Sequence, residues 1–451
     1  MSKEQPESAI SRRSFLSAGV AAASGAVALT TNVSGQTVPS IGGSGKSAGL
    51  KYRAFVRHGT TGSIELLTMR QITGRQVLVR NQAASCTYGD VGAVLGTGGN
   101  FNRPTIVGNG SVGIVEEVGP EVQAVRVGDR VIVAVTPQCG RCDYCLRGLA
   151  GLCQAVDVPL AEIAETADGT PVIQFGWAGG KGGLAEYTVV YEELVIPVFT
   201  DLPPEQLAFL IFLGAHGYAS VANNAPPTPG ADVVVFGAGP TGLSAIQAAR
   251  LHGAARIIAV EPIPARREMA MKVGATHVVD PNEDSANLVE RLRALCRIRN
   301  DRPLAGGRGL DPNFGTRSDG PSLIVEAVGA DSPDFPPKIA GPDPKGLLPL
   351  QQMWDLCPPG GHIMTQGTGY PRNSRISVPA SEWADGGKSK HSMNSSGVHS
   401  HHDIPLLIKM VENKHYEVAS LISGTYRLEH VKDCYQAIAD RSVIAVSVVF
   451  T

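Results

Sequence analysis

Residues 231–261 contain the sequence feature that most constrains the fold of this chain. Residues 233–236 (VVVF) form a short apolar run rich in β-branched side chains, which predicts a buried parallel strand. Gly237, Gly239 and Gly242 follow at G-x-G-x-x-G spacing, and apolar residues then recur at helical intervals. The glycines are therefore predicted at a strand-to-helix turn, where N–H groups at the helix N-terminus can bind phosphate.

A second apolar run, residues 257–260, ends in Glu261, whose carboxylate can accept hydrogen bonds from both hydroxyls of an adenosine ribose. This order of strand, glycine turn, helix, strand and acid predicts a dinucleotide-binding domain, with Pro240 and Thr241 among the cofactor-binding residues. Glu261 would repel a 2′-phosphate, which favours NAD over NADP. Arg266 lies close by in sequence, joins the predicted cofactor-binding set and weakens that preference. The alternative is a glycine-rich turn in another kind of α/β domain.

The bulk composition restricts the possible partners. The chain has 451 residues, which is enough for two domains of ordinary size. Its 39 basic and 41 acidic residues nearly balance, so nothing in the charge indicates nucleic acid or a membrane surface as a partner. Outside the N-terminal segment, no apolar stretch is long enough to span a bilayer, and no stable membrane span is expected.

The N-terminal segment carries a pattern that is typical of a targeting signal. Residues 11–16 read SRRSFL, and a weakly apolar stretch rich in Ala and Gly follows over residues 18–29. This pattern resembles a bacterial twin-arginine export signal, which predicts a periplasmic or otherwise exported protein and the twin-arginine machinery as a partner. Residues 1–45 are therefore assigned to the signal and a linker. The alternative is a disordered tail.

A lobe of four cysteines has the spacing C-x2-C-x2-C-x7-C. These residues are Cys139, Cys142, Cys145 and Cys153. Four thiolates on a short loop can close a tetrahedral zinc site with no open position, which predicts a structural Zn²⁺. Disulfides are the alternative, because the protein is predicted to be exported. Cys296, Cys357 and Cys434 lie in apolar or helical surroundings and are expected to be plain buried residues.

Further motifs complete a family resemblance. They are the strand with Gly113 and Gly119, the turn at residues 128–131 (GDRV) and the segment 182–187 (GGLAEY). In this order, and together with the cysteine lobe and the glycine turn, they resemble the medium-chain dehydrogenase/reductase family, whose best known members are the zinc alcohol dehydrogenases. The resemblance covers most of residues 50–451.

The resemblance implies an α/β fold with a GroES-like β module and a Rossmann doubly wound parallel sheet. The implied boundaries are residues 46–210 for the GroES-like catalytic domain and 211–395 for the Rossmann domain, with 396–451 returning to the first domain. It also implies an active site in the cleft between the domains and a homodimer or homotetramer. Residues 300–320 and 330–347 are rich in Gly, Pro, Asp and Arg and are predicted to be loop insertions.

The resemblance also implies where a catalytic zinc would be bound. The family's early cysteine corresponds to Cys86, its Gly-His-Glu motif to residues 108–110 (GNG), and a later ligand to a position on or near Phe212. Two or three ligands are therefore absent, and we expect no catalytic zinc. Structural zinc in the cysteine lobe is expected to persist.

Two further residues are predicted to be catalytic with Cys86. Tyr88 falls at the hydroxyl position of the family's proton relay and could donate a proton near a reacting oxygen. A one-residue shift in the alignment would instead match Asp90 to the family's aspartate, and a tyrosine packed in a turn is the alternative interpretation of Tyr88. His216 falls where the family has a small hydroxyl residue near the nicotinamide, so its imidazole could orient a carbonyl or shuttle a proton. A buried, satisfied histidine is the alternative. The resemblance also places Val328 beside the nicotinamide ring.

The sequence thus favours an NAD(H)-dependent oxidoreductase of the alcohol dehydrogenase type that works without a catalytic zinc. Its substrate would be a small alcohol, carbonyl or conjugated molecule. The first alternative is a zinc-free quinone or enoyl-type reductase, because a conjugated acceptor needs less help from a Lewis acid. The second is a nucleotide-binding protein without turnover. A histidine cluster, His391, His399, His401 and His402, is interpreted as a solvated loop rather than a metal site.

Overall fold

The computed structural model describes residues 45–98, 101–154, 162–174, 182–283, 285–296, 320–329, 343, 346–367, 370, 373–391 and 397–450. The twin-arginine pattern and most of the two predicted loop insertions lie outside these residues. Within the described part, no helix is long and apolar enough to cross a membrane.

The N-terminal part of the chain forms a small closed barrel of five strands in the order β1-β2-β7-β8-β4. Alternating side chains fill its interior, and Tyr52, Leu67 and Ile106 are among the buried residues there. The barrel strands are β1 (Lys51–Gly59), β2 (Thr61–Met69), β4 (Phe101–Ile106), β7 (Glu162–Glu165) and β8 (Pro171–Gln174).

A seven-stranded sheet adjoins the barrel and contains both early and late parts of the chain. Its order is β10-β6-β5-β3-β18-β17, with β9 also paired to β3. The C-terminal strand β18 runs antiparallel to β3, with Ser447 opposite Ser85. The strands are β3 (Gln76–Ser85), β5 (Ser111–Val118), β6 (Arg130–Val133), β9 (Tyr187–Tyr191), β10 (Val195–Pro197), β17 (Ile422–Arg427) and β18 (Ala445–Val449).

A six-stranded sheet in the order β13-β12-β11-β14-β15-β16 follows, and every pairing in it is parallel. The order in which strands are added reverses between β11 and β14: β12 and β13 extend the sheet towards one edge, and β15 and β16 extend it towards the other. Parallel α/β sheets bind ligands at such a reversal. The predicted parallel sheet is thus confirmed. Its strands are β11 (Asp232–Phe236), β12 (Arg256–Val260), β13 (His277–Val279), β14 (Leu323–Glu326), β15 (His362–Thr365) and β16 (Ser389–His391).

The helices connect and cover these sheets, and four of them begin with proline in the first turn, where its missing N–H costs nothing. The α-helices are α1 (Val91–Leu95), α2 (Asp143–Leu146), α3 (Pro204–Phe209), α4 (Ala215–Ala222), α5 (Pro240–Leu251), α6 (Pro264–Val273), α7 (Leu288–Cys296), α8 (Leu348–Leu356), α9 (Ala380–Asp385), α10 (Ser400–Glu412) and α11 (Val431–Ala439). Short 3₁₀ helices cover Tyr88–Asp90, Ala150–Leu152, Glu192–Leu194, Ser285–Asn287, Ala419–Leu421 and Leu428–His430.

One hydrophobic core joins the seven-stranded sheet to the parallel sheet. It includes Val112 and Ile132 from the first, Val235 from the second, and Phe209 and Leu210 from the segment between them. That segment contains a π-helical turn, Leu210–Gly214, between α3 and α4. Such turns are rare and often mark functional positions. The turn therefore directs attention to the residues at the junction of the two sheets.

Candidate functional site

The glycine turn has a geometry that leaves backbone open to a ligand. Gly237 has φ 89°, and a Cβ there would come within 2.8 Å of the Ala327 carbonyl oxygen. A Cβ on Gly242 would clash with the carbonyl oxygen of Gly237, so only glycine allows α5 to pack this closely. Among the described residues, a Cβ on Gly239 would meet only Arg266 Nη1, at 3.8 Å. This open backbone at the start of α5 suits a phosphate group.

Glu261 lies at the end of β12 and is almost completely buried. Its carboxylate accepts hydrogen bonds from the N–H groups of Ala238 at 2.7 Å and Ile263 at 3.0 Å. The first of these bonds ties the acid directly to the glycine turn. Each carboxylate oxygen has a second lone pair, so the group can still accept hydrogen bonds from ribose hydroxyls.

Two arginines follow Glu261, and the structure gives them different surroundings. Arg267 donates to the carbonyl oxygens of Glu261 and Pro262 and to Asp280, so it supports the loop itself. Arg266 places its guanidinium next to Gly239 and donates to the Val443 carbonyl at 3.2 Å. Burial lowers the pKa of Arg266, and the nearby Glu261 opposes that shift. Arg266 is thus a cation beside the open backbone.

The end of β14 is organised by Glu326, a residue that sequence reasoning missed. This fully buried acid accepts hydrogen bonds from the N–H groups of Val328, Gly329 and Gly367, each at 2.7 Å. It therefore joins the loops after β14 and β15, while Val328 itself is 53% exposed. The sequence signal that could have identified Glu326 is its position as the one acid in an otherwise apolar strand.

Cys86 follows β3 and points towards the C-terminal helix. Its side chain is 3% exposed, and its sulfur lies 3.7 Å from the sulfur of Cys434 on α11. Tyr88, in the next 3₁₀ turn, packs partly buried against the same apolar cluster. Cys296, Cys357 and Cys434 are all buried, but Cys434 has a thiol neighbour that its local sequence did not indicate.

A buried polar network occupies the position where the resemblance implies a metal-binding histidine. Thr87 Oγ1 donates to Asp90 Oδ2 at 2.9 Å and accepts from Asn109 Nδ2 at 3.1 Å. All three residues are buried. A hydroxyl has a single proton, so the bond to Asp90 makes Thr87 the acceptor for Asn109. Thr87 and Asn109 were not predicted as site residues, although Asn109 lies in the segment 108–110 that was aligned with the family's Gly-His-Glu motif.

Phe212 and His216 are brought together by the π-helical turn. Their rings stack at 3.9 Å with an interplanar angle of 24°, and His216 Nδ1 lies 2.8 Å from the Phe212 carbonyl oxygen. Because a carbonyl can only accept, Nδ1 carries the proton, and Nε2 is the basic nitrogen of the neutral ring. Gln366 donates to the His216 carbonyl at 2.9 Å and connects this pair to the end of β15.

The four lobe cysteines converge on one point. Their sulfur atoms all lie within 4.8 Å of one another, and among the described residues they are the one group of three or more His, Cys, Asp or Glu arranged to hold a metal. The N–H groups of Cys142 and Cys139 donate to the sulfurs of Cys139 and Cys153, each at 3.4 Å. Four sulfur ligands from one short segment fit a tetrahedral ion with no open position.

The histidines of the predicted cluster are separated in the structure. His391 lies in β16 and pairs with His362 at 3.0 Å between ring nitrogens. His401 and His402 lie in the first turn of α10, and His399 directly precedes it. The resemblance implied the start of a helix at residues 400–402, so these histidines are not in the solvated loop that we favoured over a metal site. The helix begins at Ser400, and the Asp403 carboxylate in its first turn accepts the N–H of the preceding residue, His399, at 2.8 Å.

A surface cavity of about 350 Å³ lies at a different place, between the barrel and the C-terminal strand. Arg53 and Arg80 line it, but Arg53 is paired with Glu186 and Glu429, and Arg80 donates to Glu116 at 2.7 Å. The cavity contains none of the candidate cofactor, metal or catalytic residues. We therefore assign the functional site to the glycine turn and the adjoining polar network.

Comparison with known proteins identifies both parts of the chain. Residues 73–200 match the profile of the alcohol dehydrogenase GroES-like domain, and residues 240–335 match the profile of the zinc-binding dehydrogenases. The GroES-like module implied by the resemblance is thus confirmed, as is the Rossmann-like parallel sheet that follows it.

Among curated proteins, the chain is similar to alcohol dehydrogenases. It is 38% identical to alcohol dehydrogenase 6 of Rattus norvegicus over 195 residues, which is 42% of this chain and 51% of the rat protein. It is 27% identical to alcohol dehydrogenase B of Mycobacterium tuberculosis over 383 residues, which is 83% of this chain and 91% of that protein. The match to the rat protein thus spans about half of its length, whereas the second match spans nearly all of the mycobacterial protein.

A solved structure agrees with the fold. The alcohol dehydrogenase zinc-binding domain protein from Burkholderia ambifaria superposes with a TM-score of 0.72 at 23% identity, over 89% of this chain and 99% of that one. At this identity the likeness establishes the fold alone. The two profiles and the curated relatives show that the chain is similar over most of its length to alcohol dehydrogenases and zinc-binding dehydrogenases, in agreement with the resemblance to the medium-chain dehydrogenase/reductase family.

Proposed function

We propose that this protein is an NAD(H)-dependent oxidoreductase that transfers hydride between the coenzyme and an alcohol or carbonyl substrate. The observation that carries the proposal is the glycine turn, with open backbone at Gly239 and the Glu261 carboxylate bonded to Ala238. The start of α5 would hold the pyrophosphate, with Arg266 beside it, and Glu261 would hold the adenosine ribose. When bound, the nicotinamide supplies the hydride chemistry.

The same proposal includes the absence of a catalytic zinc. Asn109 and Phe212 occupy the ligand positions that the resemblance implies, and neither an amide hydrogen-bonded to Thr87 nor a stacked phenyl ring is a zinc ligand. Cys86 would be left as a single ligand, and its sulfur contacts Cys434. One thiolate does not hold a zinc ion for catalysis.

Polar groups of the chain would perform the tasks of the missing metal. The Asn109 amide can donate to a substrate oxygen, and its orientation is set by Thr87 and Asp90. His216 can take up or release a proton at Nε2, because Nδ1 is engaged with the Phe212 carbonyl. Neutral donors stabilise a developing negative charge less than a metal does. This difference supports the second candidate, a reductase of conjugated enones or quinones.

We further propose that the cysteine lobe holds one structural zinc. The convergence of four sulfurs within 4.8 Å supports it, and so does the match to the zinc-binding dehydrogenases. The zinc would fold the lobe and take no part in the reaction, because all four ligand positions are filled by protein.

A combined assay tests these proposals. Purified protein would be analysed for metal content, for binding of NAD and NADP, and for hydride transfer with alcohols, aldehydes, enones and quinones. We expect about one zinc per chain, tighter binding of NAD, and turnover in one substrate class. Two tightly bound zinc ions would overturn the zinc-free site, and coenzyme binding without turnover on any substrate would favour the nucleotide-binding alternative.

We also propose export through the twin-arginine pathway and assembly as a homodimer or homotetramer. The SRRSFL sequence at residues 11–16 supports the first proposal, and the family resemblance supports the second. Replacing Arg12 and Arg13 by Lys should retain the protein in the cytoplasm, as measured by cell fractionation. Light scattering of the purified protein would measure the assembly, and a monomer would contradict the second proposal.

A further inference from the structure

We propose that Cys86 and Cys434 form an oxidisable dithiol, which closes to an intramolecular disulfide when the folded protein meets a peroxide. Nothing in the local sequence pairs these residues, which are 348 positions apart. The inference rests on the contact between them and is independent of the proposed catalytic function.

The contact between the two thiols is close and buried. The sulfurs are 3.7 Å apart, and Cys86 is 3% and Cys434 0% exposed. Both belong to one apolar cluster, with Val91 and Val448 among its members. The side chains therefore have little room to turn away from each other.

The fold holds the two segments together independently of the thiols. Cys86 directly follows β3, and β3 pairs with β18, where Ser447 lies opposite Ser85. Cys434 lies on α11, whose Tyr435 is also buried in the cluster. The two backbones are thus fixed by sheet pairing and packing, and the sulfurs must approach only from 3.7 Å to about 2.05 Å to bond.

The chemistry needs a small oxidant, because the site is buried. The Cys86 sulfur attacks one peroxide oxygen, the O–O bond breaks, and Cys86 becomes a sulfenic acid with release of water. The Cys434 sulfur then attacks the Cys86 sulfur, the S–O bond breaks, and a second water leaves. Overall, two thiols lose two electrons and two protons, and hydrogen peroxide is reduced to two waters.

The order of the two steps follows from the surroundings of each thiol. Cys86 retains slight exposure, whereas Cys434 has none, so the oxidant reaches Cys86 first. Cys434 therefore remains reduced and serves as the resolving partner, and its proton leaves with the hydroxyl group of the sulfenic acid as water.

Peptide mapping of the folded protein tests the inference. The full chain, with its bound metal, would be treated with hydrogen peroxide at a dose that leaves its circular dichroism unchanged. It would then be unfolded in an alkylating reagent and digested. We expect a cross-linked pair of peptides containing Cys86 and Cys434, lighter by two hydrogens than the sum of the reduced peptides and absent after reduction.

Three variants sharpen the result. Cys434→Ser should lose the cross-link and instead accumulate a sulfenic acid at Cys86, detected with a dimedone probe. Cys86→Ser should lose both signals. Cys296→Ser, which removes a buried thiol from a different core cluster, should retain the cross-link.

Other outcomes would overturn the inference. Full alkylation of both residues in the peroxide-treated protein would show that the thiols do not react. A cross-link that forms only after unfolding, or one that joins Cys86 to a lobe cysteine, would show that the folded contact is not responsible. Each outcome is readable in the wild-type chain, even if a variant fails to fold.

Discussion

Glu261 is the residue at which coenzyme preference is expected to be decided. Glu261→Gln keeps the side-chain size but removes the charge and one acceptor oxygen. We expect NAD affinity to fall about tenfold to a hundredfold, because hydrogen bonds to charged groups contribute about 1.5–3 kcal/mol. The affinity for NADP should fall less, because repulsion of a 2′-phosphate is removed as well. Fluorescence titration with both coenzymes measures these changes.

The exposed Glu268 on α6 provides the matched control. Glu268→Gln also removes one negative charge, seven residues further along the chain, but Glu268 is exposed and makes no hydrogen bond to the glycine turn. The affinities for NAD and NADP should therefore both be unchanged. If Glu261→Gln bound NAD as tightly as the unmodified chain, its assignment to the adenosine ribose would be wrong.

Asn109 is the residue that we expect to replace a metal in the reaction. In Asn109→Ala the substrate oxygen loses one donor, and kcat should fall about tenfold, which corresponds to about 1.4 kcal/mol of transition-state stabilisation. Coenzyme affinity should stay constant, because Asn109 lies outside the glycine turn. Steady-state kinetics separates kcat from KM, and the exposed Asn282→Ala serves as the control. An unchanged kcat would contradict this role.

The contribution of the cysteine lobe to stability can be tested by removing one of its ligands. Cys142→Ser should lose the single bound zinc and lower the melting temperature, because structural zinc contributes folding free energy directly. Metal analysis and thermal unfolding measure the two effects. Cys357→Ser, which leaves the lobe intact, should keep the zinc. A Cys142→Ser protein that retained one zinc per chain would contradict the four-ligand site.

The N-terminus of α10 depends on a fully buried acid, Asp403. It accepts hydrogen bonds from the His399 N–H and from Asn223 Nδ2, both at 2.8 Å, and so fixes the helix to α4. Asp403→Ala removes the charged acceptor that the two donors share, and only Asn223 retains another bond, to the Gly397 carbonyl oxygen at 3.0 Å. The free energy of unfolding should fall by about 3 kcal/mol, as measured by denaturant titration.

Asp433 on α11 provides the control for the Asp403 substitution. Its contact with His430 is exposed on both sides, so Asp433→Ala should change the free energy of unfolding by less than about 1 kcal/mol. Equal effects of the two substitutions would show that the buried contacts of Asp403 do not stabilise α10.

At the scale of the whole molecule, two histidines make stability depend on pH. Burial, and then the neighbouring His362 and Lys390, lower the pKa of His391, and burial lowers the pKa of His401. The unfolded chain then binds more protons than the folded chain between the lowered values and 6.5. Stability should therefore decline as the pH falls through about 6.5.

Urea unfolding at a series of pH values between neutrality and mild acid measures this decline. The double variant His391→Asn and His401→Gln should show a smaller decline than the unmodified chain, because it lacks both groups. His430→Gln, at an exposed position, should leave the decline unchanged. A decline of the same size in the double variant would assign it to other groups.

The sequence predicted those parts of the molecule in which the determining residues are close together in the chain. The parallel sheet and the glycine turn follow from local patterns, because apolar runs and G-x-G-x-x-G spacing encode strand, turn and helix over about thirty residues. The cysteine lobe is similar, since its four ligands lie within residues 139–153. The loops bridged by Glu326 were not predictable in this way, because Gly367 is 41 positions from that acid.

By itself, then, the sequence determined the individual strand-turn-helix units, the phosphate-binding turn and the cysteine lobe, because short-range spacing suffices for each. The tertiary structure alone decided that Asn109 bonds to Thr87, that Phe212 stacks on His216, and that Cys86 contacts Cys434. These contacts depend on side-chain direction after packing and, for the two thiols, on the pairing of β3 with β18. Periodicity describes which face of an element is buried, but it does not describe which remote residue meets that face.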